Sequence, residues 1–299
     1  MADLGAIVDR LARRLGAPAG APIPLDGGIT NRNYVVRFGE RDYVVRLPGR
    51  DTALLGINRD AERIAGEAAA ALGIAPAVAA GDRDCLVTEF LRGGPIEGGQ
   101  LLRAPEGVAI ALRAFHECGV QLPVRFWVPE LLDSYAVIVG ERGGTLPDGW
   151  AQAQELARRV AVAMPISDPA PCHNDLLPSN LLRLDDGLRQ IVLVDWEYAG
   201  MGHPMFDLGN LAVNNEFDDA AERRLLAAYF GEPPSPGRRA QLRLMRIMSD
   251  AREAAWGVVQ GAISELEFDF GAYATSHFTR LAQAASDPRL EEWLVAAAA

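Results

Sequence analysis

Four polar residues carry the chemistry legible in this sequence. His173 and Asp175 lie in "PCHNDLLPSNLL", Asn180 stands near the end of the same stretch, and Asp195 follows in "IVLVDWEY". Between Asn180 and Asp195 come "LLRL", the turn-forming "DDG" and "IVLV", the pattern of a tight hairpin, so the two residues should meet despite their separation in the chain. An amide oxygen and a carboxylate at one point are hard ligands, suited to Mg²⁺ rather than to zinc. Asp175 would stand beside such an ion without binding it, placed to accept the proton of a hydroxyl, while His173 braces the loop. The chemistry this suggests is phosphoryl transfer from MgATP to an alcohol.

The five-residue step from Asp175 to Asn180, with a further metal-binding Asp beyond, matches the spacing of the protein-kinase catalytic loop. His-x-Asp-x-x-x-x-Asn alone should arise in about one random chain per hundred, and it gains force from the hairpin that ends in Val-Asp. The N-terminal part offers a matching nucleotide site. In "LDGGITN" backbone N–H groups at Gly28, Thr30 and Asn31 could lie on phosphates, although the loop is not a full G-x-G-x-x-G and paired glycines are commonly plain turn residues. Arg46 in "YVVRLPG" points away from Val45 and Leu47; it is either a clamp on the α- and β-phosphates or an exposed surface arginine. Glu62, on a following helix, is the natural ion-pair partner of Arg46, with Glu67 a competitor that periodicity does not exclude. "VTEFL" before Gly93 and Gly94 reads as a hinge strand whose backbone from Glu89 to Leu91 is available to an adenine ring.

These residues need two kinds of scaffold. Residues 22 to 47 alternate as strands: Tyr34, Val36 and Phe38 share one face, "GERD" turns, and Tyr43, Val45 and Leu47 share one face. A helix through Ala61, Ile64, Ala65, Ala68 and Leu72 stops at Gly73 and Pro76. After Gly94 helical stripes dominate, among them Val108, Leu112 and Phe115, then Leu156 and Val160, and a long segment from Gln241 to Gly261. The expectation is an α+β, bilobal, protein-kinase-like fold, with a small β-rich lobe over 1–92 (including an N-terminal amphipathic surface helix) and a larger, mostly helical lobe over 93–299.

Composition narrows the partners. The chain has 299 residues, 49% of them hydrophobic and 23% charged, with a formal charge of −11. That balance opposes non-specific attraction to nucleic acid or an anionic membrane and favours a cationic small molecule. There is no lysine; all 29 basic side chains are arginine, so any lysine role falls to arginine. Cys85, Cys118 and Cys172 are odd in number and far apart, which reads as small buried thiols in a reducing setting. With no signal-like start and no apolar run long enough to span a bilayer, a cytoplasmic protein is expected, without membrane insertion.

With these residues assembled, the sequence resembles the choline/ethanolamine kinase family, within the wider group that includes aminoglycoside phosphotransferases. The likeness runs from "LDGGITNRNYVVR" through "CHNDLLPSNLL" and "VDWEYAGMGHPMFDLGN" to "WGVVQGAISELEFDFGAYA". It implies ATP and Mg²⁺ as cofactors, a buttressing role for Asp207 behind the catalytic loop, and a small cationic amino alcohol as acceptor, choline first and ethanolamine second. Such an acceptor needs aromatic faces and carboxylates, for which Trp196, Glu197, Tyr198, Glu216, Trp256 and Phe270 are the candidates. Where the family has a second tryptophan three positions before the one matching Trp256, this chain has Glu253, which weakens an aromatic cage. The rival expectations are an aminoglycoside-type antibiotic phosphotransferase and a catalytically silent nucleotide-binding regulator.

Overall fold

The computed structural model describes residues 3–25, 31–96, 98–184 and 191–298. The N-terminal part is a twisted antiparallel sheet with a helix on each side of the sequence that builds it. Helix α1 (Leu4–Leu15) precedes strands β1 (Ile23–Leu25), β2 (Arg32–Phe38) and β3 (Arg41–Leu47); helix α2 (Arg59–Ala71) then leads to β4 (Val78–Gly81) and β5 (Leu86–Glu89). The sheet order is β1-β2-β3-β5-β4. Strand alternation works as read: Val36 and Phe38 on β2 and Val45 and Leu47 on β3 turn inward, where Ile7, Val8 and Leu11 of α1 close over them in a separate small core. Arg46 is thereby forced to the opposite face, toward the cleft.

Strand β6 (Gly93–Pro95) crosses to the second part of the molecule and pairs antiparallel with β8 (Leu181–Leu184). A Cβ on Gly93 would come 2.3 Å from the Arg183 carbonyl oxygen, so only glycine lets the crossing strand lie this close. Helices α3 (Gly98–Arg103), α4 (Glu106–His116), α5 (Val128–Glu141) and α6 (Gly149–Ala163) follow, then β7 (Ala170–Cys172), β8, β9 (Val192–Leu193) and β10 (Gly200–Gly202). The chain ends in α7 (Pro204–Asn214), α8 (Asp219–Phe230), the 28-residue α9 (Pro236–Ile263), α10 (Phe270–Ala285) and α11 (Leu290–Ala298).

Helix α9 is the axis of this part. Leu242, Leu244, Met245, Met248 and Val259 are buried on several sides at once, because α5, α6, α7, α10 and α11 all pack on it. Gly209 lets α7 approach: a Cβ there would lie 2.6 Å from Met245. The fold is thus α+β, with a sheet-based N-terminal part and a helical C-terminal part. Among the described residues no helix is long and apolar enough to cross a membrane. One expectation fails: Cys85 and Cys172 are buried thiols, but Cys118, just past the end of α4, is exposed.

Candidate active site

The catalytic stretch is a loop between β7 and β8, held from behind by α7. Asp207 on α7 accepts hydrogen bonds from the backbone N–H groups of His173 (2.8 Å) and Asn174 (2.7 Å) and meets His116 Nε2 at 2.9 Å. Those contacts hold the fully buried Asp207 carboxyl below its usual range in spite of burial, which works the other way. Asn210, one turn on, accepts the Leu176 N–H at 2.5 Å. Cys172, His116 and Asp207 cluster closely enough for a metal, but these N–H donors already occupy Asp207, and the cluster reads as the loop's footing.

His173 is buried, which lowers its pKa and keeps it neutral. Its Nε2 lies 3.0 Å from the Val194 carbonyl and its Nδ1 accepts the Asp175 N–H at 3.2 Å, so the ring ties the loop to the strand that carries Asp195. Asp175 in turn receives Asn180 Nδ2 on Oδ2 at 3.0 Å and Arg252 Nη1 on Oδ1 at 3.1 Å. Burial pushes the Asp175 carboxyl well above the usual carboxylate range, opposed first by the Arg252 charge.

The expected hairpin is present at its base: Leu181 pairs with Leu193, Leu182 with Val192, and the Val194 N–H donates to Asn180 O at 3.0 Å. Asn180 and Asp195 are therefore brought together, while the "DDG" turn lies outside the described residues. Asn180 spends its amide N–H groups on the Asp175 carbonyl and carboxylate, which leaves its Oδ1, met by the Ser179 hydroxyl at 3.5 Å, as the atom that could serve a metal. Asp195 has φ 65°, a left-handed conformation that costs a non-glycine residue energy and re-aims the chain as it leaves the hairpin. An amide oxygen beside a carboxylate is a donor set that fits Mg²⁺.

Across the cleft, Arg46 on β3 forms ion pairs with Glu62 on α2 and with Asp195. Glu62 is thus the partner, and Glu67 instead pairs with Arg63 on its own helix. Glu89 and Leu91 line a cleft of about 400 Å³ between the sheet and the catalytic loop, together with Arg46, Asn180 and Asp195. The Glu89 and Phe90 N–H groups already donate to Ala77 and Asp42, so Leu91 has the amide left for a ligand. Gly28 and Thr30 lie outside the described residues.

Several expected contacts are corrected. The Asn31 side chain is committed within the protein, its Nδ2 donating to Glu197 at 2.8 Å and its Oδ1 accepting from Arg59. Glu197 is likewise taken from the acceptor side, buried between Asn31 and Arg59, which also binds Glu62 at 2.7 Å. Trp196 is a packing residue, 4.5 Å from Phe115 and 4.4 Å from His173 between ring centroids, with its indole N–H on Leu193 O. Glu216 is exposed at a left-handed turn after α7 and joins no cluster.

The rest do assemble. Trp256 on α9 donates to the Tyr198 hydroxyl at 2.8 Å and packs edge-on against Phe270 and Tyr273. Glu253 receives the Tyr273 hydroxyl at 2.7 Å on one oxygen and Arg252 at 2.7 Å on the other. Sequence reasoning missed Arg252, Arg59 and Tyr273. Arg252 adjoins Glu253, but nothing local signalled that a buried helix position would hold an arginine against Asp175.

A two-part fold whose cleft is bordered by Arg46, Asn180 and Asp195, with Glu62 behind the arginine and Asp175 behind the asparagine, has the form of a kinase-like phosphotransferase. Residues 22–244 match the phosphotransferase enzyme family. A choline/ethanolamine kinase family protein from Mesorhizobium loti superposes with a TM-score of 0.79 at 30% identity, covering 97% of this chain and 98% of its own. The chain belongs to that choline/ethanolamine kinase family of phosphotransferases. Ethanolamine kinase 2 of Rattus norvegicus is 29% identical over 285 residues (85% of this chain, 73% of the relative), and probable choline kinase 1 of Arabidopsis thaliana is 24% identical over 295 (86% and 84%).

Proposed function

We propose that this enzyme transfers the γ-phosphoryl group of ATP, with Mg²⁺, to the hydroxyl of a small amino alcohol of the choline and ethanolamine type. The observation that supports it most is Asp175, fixed between Arg252 and Asn180, the latter lining the cleft that Arg46 and Asp195 border. In this reading Asp175 orients the acceptor hydroxyl and takes its proton as the O–P bond forms. Asn180 and Asp195 would hold the Mg²⁺, which when bound neutralises phosphate charge. Arg46, fixed by Glu62, lies on the nucleotide side, and the Leu91 amide is the backbone donor left for an adenine ring. Little covalent work is asked of the protein; catalysis is positioning and charge stabilisation.

The acceptor side supports an amine. Glu253 supplies a buried carboxylate and Trp256, Phe270 and Tyr273 supply aromatic surface beside it. A bulky antibiotic polycation fits less well with a wall whose carboxylate and tryptophan are both buried. ADP release measured with MgATP and choline, ethanolamine and an aminoglycoside tests the reading: release with the amino alcohols alone supports it, and release with the aminoglycoside alone overturns it.

A further inference from the structure

Arg252 touches the proposed base and the proposed acceptor wall, yet part of its guanidinium has no assigned role. It is 2% exposed, on the inner face of α9. Its Nη1 is shared between Asp175 Oδ1 and Glu253 Oε1, and its guanidinium lies 4.3 Å over the Tyr198 ring. Its Nε and Nη2 are buried without a partner among the described residues. Desolvated donors left unpaired are destabilising, so an arginine in this state is suited to a ligand that completes it.

Three consequences meet here. The reacting hydroxyl must reach Asp175, and the guanidinium touches that same carboxylate, so the unpaired N–H groups belong to a side chain next to the reacting hydroxyl. The cation–π position on Tyr198, which a trimethylammonium group would use, is filled by the chain's own cation. Finally, the Glu253 carboxylate beside the same guanidinium is a counter-charge that an ammonium group could meet.

Resting on the amino-alcohol reading above, we infer that Arg252 is a specificity-determining residue, and that the acceptor it selects is an amino alcohol with a second oxygen function next to the reacting hydroxyl, either a further hydroxyl or a carboxylate. Such a group accepts from Nε and Nη2, while its ammonium answers Glu253. Choline and ethanolamine lack that oxygen and leave both donors unpaired.

The test is ADP release by the full-length enzyme with MgATP and four acceptors: ethanolamine, choline, serinol with its second hydroxyl, and serine with its carboxylate. Serinol or serine should exceed both others by at least about tenfold in kcat/KM, the lower end of what leaving buried donors unpaired costs. Which of the two is faster separates hydroxyl from carboxylate. In Arg252→Lys, which keeps a cation near Asp175 but loses the planar fork, that ratio should fall toward one. A purely structural role would lower all four rates together and keep the ratio, which overturns the assignment to Arg252. Ethanolamine or choline as the best wild-type acceptor overturns the inference and leaves the proposed function standing, with no variant needing to fold. No release with any of the four removes both.

Discussion

Asp175 and Asn180 show how few side chains set the reaction. Asn180 divides its amide between the Asp175 carbonyl and carboxylate, so one residue fixes the proposed base and keeps an oxygen for the proposed metal. Asp175→Asn keeps this packing but removes the proton acceptor; kcat should fall by about two to four orders of magnitude while ADP still binds, as calorimetry would show. Asp195→Ala should act differently, weakening nucleotide binding in the presence of Mg²⁺ and leaving metal-free binding little changed; a Mg²⁺ titration that looks like wild type would remove Asp195 from the ligand set. The meeting of Asp175, Asn180 and Asp195 and the Arg46–Glu62 pair were legible because each follows from short-range spacing or strand alternation. Of the three successive residues Trp196, Glu197 and Tyr198, the first two were not, because the left-handed backbone at Asp195 breaks that alternation. The three successive side chains then go to the core, to the N-terminal part and to α9.

At the scale of elements, α7 is the support on which the catalytic loop rests. Its cap is His203, whose Nδ1 accepts the Met205 N–H at 3.2 Å. Burial, with repulsion from His116, pushes the His203 imidazole down to about 4. The unfolded chain, titrating near 6.5, therefore binds more protons than the folded one below that pH. This contribution to stability is full above about pH 6.5 and is lost as pH falls through the folded value, when the protonated ring can no longer accept from Met205. His203→Asn retains a capping oxygen without the titration, so urea midpoints between pH 7 and 4 should decline less steeply than in wild type. Gly93 and Gly209 are legible in sequence only as breaks in pattern; their reason, backbone approaching from another element, is a property of the fold.

Across the whole molecule, one charge network joins the two parts. Arg46 and Glu62 on the sheet side reach Asp195, and Arg59 with Asn31 reaches Glu197, so four elements remote in sequence share buried charges. Truncating one member of such a network typically costs about 3 to 5 kcal/mol, because its partner stays buried and unpaired. Glu62→Ala should lower the melting temperature and raise KM for ATP more than KM for the acceptor; equal effects on both substrates would detach the network from the nucleotide side. The bilobal plan was readable from the switch between strand and helix periodicity, whereas the network was not, since Glu197 and Arg59 are separated by more than a hundred residues and no local pattern pairs them.

The most direct test of the account is ADP release by the wild-type enzyme and by Asp175→Asn, with MgATP and each small amino alcohol in turn. Acceptor-dependent release by wild type, lost by about two to four orders of magnitude in the variant with nucleotide binding retained, is the predicted result. Release that needs no amino alcohol, or that survives undiminished in Asp175→Asn, would contradict it.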